Sequence, residues 1–278
     1  MTLRQAVGFE YDLRRRRAER LLKQYPFAKE VLDFYSHILA FQRNLRANMP
    51  ATATDGTGWT AQSNLASRDE LDLTAVLPHF RGFLAMVEAN APAALGEAAR
   101  TLAQLPTNSW KKLLQTYWQR AGTDDDALLI LDQFLPRAFL QPYVELLGAQ
   151  TPKAPSLITV RLCPLCGSKP LLGVLRQEGD GGKRYLMCSF CLQEWEFRRI
   201  HCASCGEEDE KKLPVYVAEQ FPHIRVEACD TCKSYTRTID LTKDGNAVPL
   251  VDDLAAIPLT LWAEQQGFTR LHQNLLGT

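Results

Sequence analysis

The hydrophobic pattern of the chain changes character near residue 155. Up to that point apolar residues recur at helical spacing; beyond it, short strand-like runs alternate with tight turns. Val31, Phe34, Ile38, Phe41 and Leu45 follow the 3-4-3-4 spacing of one helix face, and Pro26 stands where that helix can begin. Residues 50–67, rich in Thr, Gly and Ser, read as a loop. Leu73, Leu77, Phe80 and Leu84 predict a helix over 68–88, with Pro78 at a start or a kink. Thr107-Asn108-Ser109 can cap a helix carrying Trp110, Leu113, Leu114 and Tyr117. Asp124-Asp125-Asp126 suit the positive end of another, with Leu128, Leu131, Leu135 and Phe139 as its stripe and Pro136 and Pro142 predicting a bend. All these stripes read as core. Thr151-Pro152-Lys153-Ala154-Pro155 reads as a hinge, and Asp252 through Gln266, with Gly267 as cap, as a final helix.

The segment between hinge and final helix holds every cysteine of the chain. All eight lie in C-x-x-C pairs: Cys163/Cys166, Cys188/Cys191, Cys202/Cys205 and Cys229/Cys232. Two residues between the thiols let a tight turn aim both sulfurs at one ion, and two such turns complete a tetrahedral site of four thiolates. The turns repeat. The first and third, Cys163-Pro-Leu-Cys166-Gly167 and Cys202-Ala-Ser-Cys205-Gly206, carry Gly after the second Cys, where a positive φ aims backbone N–H groups at sulfur. The second and fourth lack that Gly. Each follows a strand-like run, 184–187 or 224–227, and precedes another, 195–197 or 235–239. Corresponding turns lie 39 and 41 residues apart, which reads as two tandem copies of one ribbon. Turn one would then pair with two, and three with four; interleaved pairing, one with three and two with four, is the alternative. A thioredoxin-like redox pair accounts poorly for four such motifs with no βαβ pattern around them. The spacing suits zinc or a rubredoxin-like iron, and by itself favours zinc as the commoner structural ion. A four-thiolate site has no open coordination position, which argues against hydrolytic chemistry.

Charge narrows the partners. Residues 1–155 carry 18 Lys+Arg against 16 Asp+Glu, and the remainder 14 against 16. Neither half offers a basic face for nucleic acid or an anionic membrane. No apolar run reaches the roughly 20 residues that span a bilayer. The Arg14–Arg17 run is followed by Glu19, Arg20 and Lys23 rather than an apolar stretch, so it reads as a solvated helix face and not as an export signal. The expected location is cytoplasmic. His37, His79, His201, His223 and His272 form no catalytic pattern, and there is no Walker A sequence, dinucleotide fingerprint or G-x-S-x-G. His201, beside Cys202, is a spare ligand candidate that eight thiolates make unnecessary. Glu207-Glu208-Asp209-Glu210-Lys211-Lys212 reads as a solvated ribbon tip.

These motifs together resemble a known family. Arg161-Leu162-Cys163-Pro164-Leu165-Cys166-Gly167-Ser168, Tyr185-Leu186-Met187-Cys188-Ser189-Phe190-Cys191 with Glu194-Trp195, Cys202-Ala203-Ser204-Cys205-Gly206 and Glu227-Ala228-Cys229-Asp230-Thr231-Cys232-Lys233 with Tyr235 resemble the formate dehydrogenase accessory protein family, FdhE. Asp252-Asp253-Leu254-Ala255 and Leu261-Trp262-Ala263 extend the resemblance, which covers about residues 155–278. It implies a cytoplasmic accessory protein rather than an enzyme. It implies the eight cysteines as ligands of two metal ions, with iron in rubredoxin-like sites favoured over zinc. The implied partner is the catalytic subunit of a respiratory formate dehydrogenase, bound before its twin-arginine export, with no nucleic acid and no membrane insertion. The rival readings are a zinc-ribbon nucleic-acid-binding module and a rubredoxin-type electron-transfer protein. The expected class is α+β: an all-helical N-terminal domain over 1–154, a rubredoxin-like metal ribbon over 155–200, a second over 201–242, and a C-terminal helical segment over 243–278.

Overall fold

A computed structural model of the chain describes residues 3–49, 73–120, 130–150, 158–179 and 181–277. The expected loop at 50–67, the Asp124–Asp126 helix start and the 151–155 hinge lie outside these residues. Helix α1 (Leu3–Gln24) buries Tyr11, Arg14, Arg17, Ala18 and Leu21 along one side. The Arg14–Arg17 run is therefore not a solvated face. Its outer members point inward, because a step of three residues keeps them on one side of a helix. There Arg14 meets Glu145 at 3.1 Å and Arg17 meets Asp252 at 2.9 Å. Arg15 and Arg16 remain exposed.

Helix α2 (Lys29–Asn48) follows a short turn begun by Pro26. The predicted stripe serves a first core through Phe34, Ile38 and Leu45, with Phe41 packed against it. A second stripe, Leu32, Tyr35 and Leu39, serves another core formed with α1 and the sheet. Next in order are α3 (Phe80–Asn90), α4 (Ala93–Ala103), α5 (Thr107–Arg120) and α6 (Ile130–Gln150). The helix expected over 68–88 starts only at Phe80 among the described residues, after a tight turn at Leu77–His79 that contains Pro78. In α6 both prolines are accommodated inside the helix. Pro142 cannot donate to the carbonyl of Ala138; the buried Gln42 amide on α2 does so instead, at 2.7 Å.

The C-terminal half forms one sheet with strand order β3-β2-β1-β6-β5-β4. The strands are β1 (Pro170–Glu178), β2 (Gly181–Cys188), β3 (Glu194–Glu196), β4 (Val215–Ala218), β5 (Phe221–Ala228) and β6 (Ser234–Asp240). Each ribbon is an antiparallel three-stranded unit, and the parallel pairing of β1 with β6 fuses them. At that seam Gly173 lies opposite Thr238, and a Cβ on Gly173 would fall 2.2 Å from the Thr238 hydroxyl oxygen. Glycine is what lets the two ribbons approach. The predicted final helix is two, α7 (Pro249–Ala255) and α8 (Ile257–Gln265), because Pro258 cannot continue a helix past Ala256. Gly267, at φ +81°, closes α8: the Phe268 N–H bonds the Ala263 carbonyl and the Gly267 N–H that of Glu264. Strand β7 (Thr269–Arg270) then pairs in parallel with the start of β6.

The two aspartates of α7 hold these parts together. Asp252 accepts from Arg17 of α1, from His223 of β5 at 2.8 Å and from the Val248 N–H at 2.7 Å. Asp253 meets Arg237 of β6 at 2.8 Å, Arg270 of β7 at 2.7 Å and Asn274 at 2.9 Å. Both carboxylates are fully buried, so each charge is matched by a guanidinium.

Candidate metal centres

All four C-x-x-C turns adopt one backbone conformation. The N–H of the first Cys bonds the carbonyl five residues on, at Ser168, Gln193, Glu207 and Ser234 in turn. The residue after the second Cys has positive φ in every case: Gly167 at 69°, Leu192 at 57°, Gly206 at 85° and Lys233 at 56°. The two turns without glycine thus adopt the left-handed conformation anyway, although a β-carbon makes it unfavourable by about 1–2 kcal/mol. In this geometry the Phe190 and Cys191 N–H groups point at the Cys188 sulfur (3.3 and 3.4 Å), and those of Ser204 and Cys205 at the Cys202 sulfur (3.3 and 3.5 Å). Such bonds favour thiolate over thiol.

The turns meet in sequential pairs. Cys163, Cys166, Cys188 and Cys191 form one group, and Cys202, Cys205, Cys229 and Cys232 the other, with sulfurs within 4.8 Å of one another in each. The interleaved alternative is excluded. A metal–sulfur bond of about 2.3 Å sets a tetrahedral sulfur–sulfur edge of about 3.8 Å. Edges in the second group are 3.7 and 3.8 Å; those in the first, 3.3 to 3.6 Å, are slightly tighter. The donor set and its spacing fit a tetrahedral ion in each place. All eight cysteines are free of disulfides. His201 belongs to neither group; its ring meets Glu208 at 3.0 Å and stands edge-on to Phe197.

Without an ion the thiols resist ionising together. Burial pushes Cys188 and Cys191 well up, and the sulfurs of Cys163 and Cys166 push the same way. In the second group burial raises Cys229 to about 12. Burial also opposes ionisation of Cys232, but the Ser234 hydroxyl at 2.9 Å, the Ser234 N–H and the adjoining sulfurs outweigh it and bring that thiol down to about 6. A divalent cation supplies the charge that four close thiolates require, and its binding expels their protons.

The surroundings of the two groups differ. The first is wholly buried and joins the helical core. Phe190, inside its second turn, stands edge-on to Tyr117 and Trp118 of α5 at 5.7 and 5.5 Å. The buried Arg137 of α6 donates to the Ser189 carbonyl at 3.0 Å and also to those of Gln273 and Asn274. The second group lies at the other ribbon, with Cys205 exposed and Cys232 half-buried. The sequence reading missed Phe190, Arg137 and Ser234 as parts of these sites. Phe190 and Ser234, each two residues after a ligand cysteine, were hinted at only by that place; Arg137 carried no signal.

A helical body carrying two four-cysteine ribbons on one shared sheet defines a class of metal-ribbon protein. Two family models fall on this region: "FdhE, central domain" over residues 162–199 and "FdhE, C-terminal domain" over residues 200–276. A "Protein FdhE homolog" of Pseudomonas aeruginosa is 32% identical over 285 residues, covering 95% of this chain and 90% of the relative. Another from Aquifex aeolicus is 28% identical over 264 residues, covering 92% of each. The crystal structure of the FdhE protein from Pseudomonas aeruginosa superposes with a TM-score of 0.74 at 28% identity, over 96% of each chain. The chain belongs to the FdhE family.

Proposed function

We propose that this chain is a non-enzymatic accessory protein for formate dehydrogenase maturation, acting in the cytoplasm. It binds the catalytic subunit of a respiratory formate dehydrogenase before that subunit is exported by the twin-arginine route. Family membership points to the pathway. The observation that carries the accessory role is the pair of four-cysteine groups on one shared sheet; an ion held by all four thiolates of a group would have no coordination position left for substrate or water. Among the described residues no helix is long and apolar enough to cross a membrane.

We assign the metal ligands as Cys163, Cys166, Cys188 and Cys191 for one ion, and Cys202, Cys205, Cys229 and Cys232 for the other, with iron as the ion in each. Metal analysis and visible absorption of protein purified without oxygen test the ion. Two irons per chain, with ferric–thiolate bands on oxidation, support it; two zincs and a colourless protein overturn iron and leave the accessory role standing. The role itself is tested with purified catalytic subunit and with formate dehydrogenase activity in cells that lack this protein. Direct binding together with restored activity supports it, and activity that is unimpaired without the chain refutes it.

A further inference from the structure

The shared sheet has two outer edges, and they are built differently. The β3 edge is three residues long and charged: Glu194 is held by Arg176 at 2.7 Å, and Glu196 faces Lys183. Short, charged edges discourage strand pairing. The β4 edge carries Val-Tyr-Val-Ala, with Val215 and Val217 each 53% exposed. Their main-chain groups are open as well. The Ala228 N–H bonds the Pro214 carbonyl at 3.0 Å. By antiparallel alternation Tyr216 is the next residue bonded to β5, so the N–H and C=O groups of Val215 and Val217 point away from the sheet. The Tyr216 side chain lies on the opposite face against Trp262, at 4.7 Å between rings.

The face that carries Val215 and Val217 borders a cavity of about 420 Å³ between the ribbons. Arg184, Arg199, Arg225, Cys202 and Cys229 are among its lining residues. Arg184 is buried; it meets Glu227 at 2.6 Å and donates to the carbonyls of Arg198 and His201, yet its Nε is buried with no hydrogen-bond acceptor. Arg225 pairs with Asp240. The exposed Arg199, at the mouth, has no ion pair among the described residues. Glu210 and Glu227 line the cavity as well, but Glu227 is held by Arg184 and Arg225 by Asp240, so the donor left for an incoming carboxylate is the Arg199 guanidinium, beside an open strand edge.

We propose that the β4 edge and this cavity form a strand-addition site for an extended segment of the partner polypeptide. The segment is apolar where it lies beside Val215 and Val217, and it carries an acidic side chain that enters the cavity. This rests on the reading that the chain binds a partner protein. A second copy fits less well, because a four-residue strand falls far short of the roughly 1,200 Å² that a stable dimer buries.

The test measures binding of the full, metal-loaded chain to purified formate dehydrogenase catalytic subunit. Val217→Pro removes an outward N–H without touching the β5 ladder, Val217→Lys charges the edge, and Arg199→Glu reverses the cavity mouth. Each is expected to weaken binding at least tenfold, with circular dichroism and metal content unchanged. If Val217→Pro perturbs the fold, Val217→Lys decides. Wild-type affinity in the folded variants overturns the site while the accessory reading stands. Loss at Val217 alone overturns the acidic side chain. A wild-type chain that does not bind overturns the accessory reading, and the site with it. Self-association that Val217→Lys abolishes identifies a second copy as occupant and also overturns the proposal.

Discussion

Asp253→Asn tests whether the α7 aspartates hold the ribbons to the rest of the chain. Asp253 is completely buried, and its one carboxylate is shared by two buried guanidiniums, Arg237 at 2.8 Å and Arg270 at 2.7 Å. Burial pulls Arg237 down to about 10, still charged at neutral pH. Asparagine keeps the shape but removes the charge. Breaking one buried pair by removing a partner destabilises by about 3–5 kcal/mol. Here two cations lose one anion, so a value near 5 kcal/mol is expected, a third or more of the 5–15 kcal/mol typical of a whole domain. Urea unfolding of metal-loaded protein at pH 7, followed by circular dichroism, measures it. A loss below about 1 kcal/mol with an unchanged urea slope would refute the reasoning. The acid limb is a second readout. Burial works to raise the Asp253 carboxyl, but Arg237 and Arg270 outweigh it and hold it below its ordinary value. Its contribution is fully present above the unfolded value of about 3.9 and is lost as pH falls through the folded one. Wild type should therefore lose stability below about pH 4 more steeply than Asp253→Asn does.

Four other outcomes are expected. Phe190→Ala removes the ring packed against Tyr117 and Trp118, so about 3–5 kcal/mol of stability should be lost in urea unfolding, with faster metal release from the first centre. Gly206→Ala should lower stability by about 1 kcal/mol through left-handed strain alone, because the added Cβ meets nothing closer than 3.8 Å; Lys233→Gly at the matching position should change stability little, relief of the same strain offsetting the lost contacts of the ammonium with Asp230 and the Phe268 ring. Gly173→Val should separate the ribbons at the β1–β6 seam, seen as rapid amide exchange at Ile239 and at Leu241, whose N–H bonds the Leu175 carbonyl across that seam. A chelator should strip metal in two phases, the second centre first, because Cys205 is exposed while every sulfur of the first centre is buried; equal rates in a stopped-flow assay would refute that order.

How much of this was legible beforehand differs between elements. The α2 stripe was readable because Phe34, Ile38 and Leu45 are apolar at helical spacing. The inward face of α1 was not, since Arg14 and Arg17 sit in its buried stripe and count as polar in any pattern. Their carboxylate partners, Glu145 and Asp252, lie 131 and 235 residues away. Likewise Leu192 and Lys233 carry no mark of the left-handed conformation that their turns impose on them.

By itself the sequence determined the four turns, their tandem order and the chemistry of eight thiolates, because a C-x-x-C turn is complete within a few residues and its geometry depends on nothing distant. The tandem repeat already pointed to sequential pairing of the turns, and the structure bears it out; tertiary structure alone decided that a glycine seam fuses two ribbons into one sheet, and that one centre sits in the helical core while its repeat meets solvent. Burial is a property of segments packed together from far apart in the chain. Two nearly identical local motifs therefore end in opposite environments.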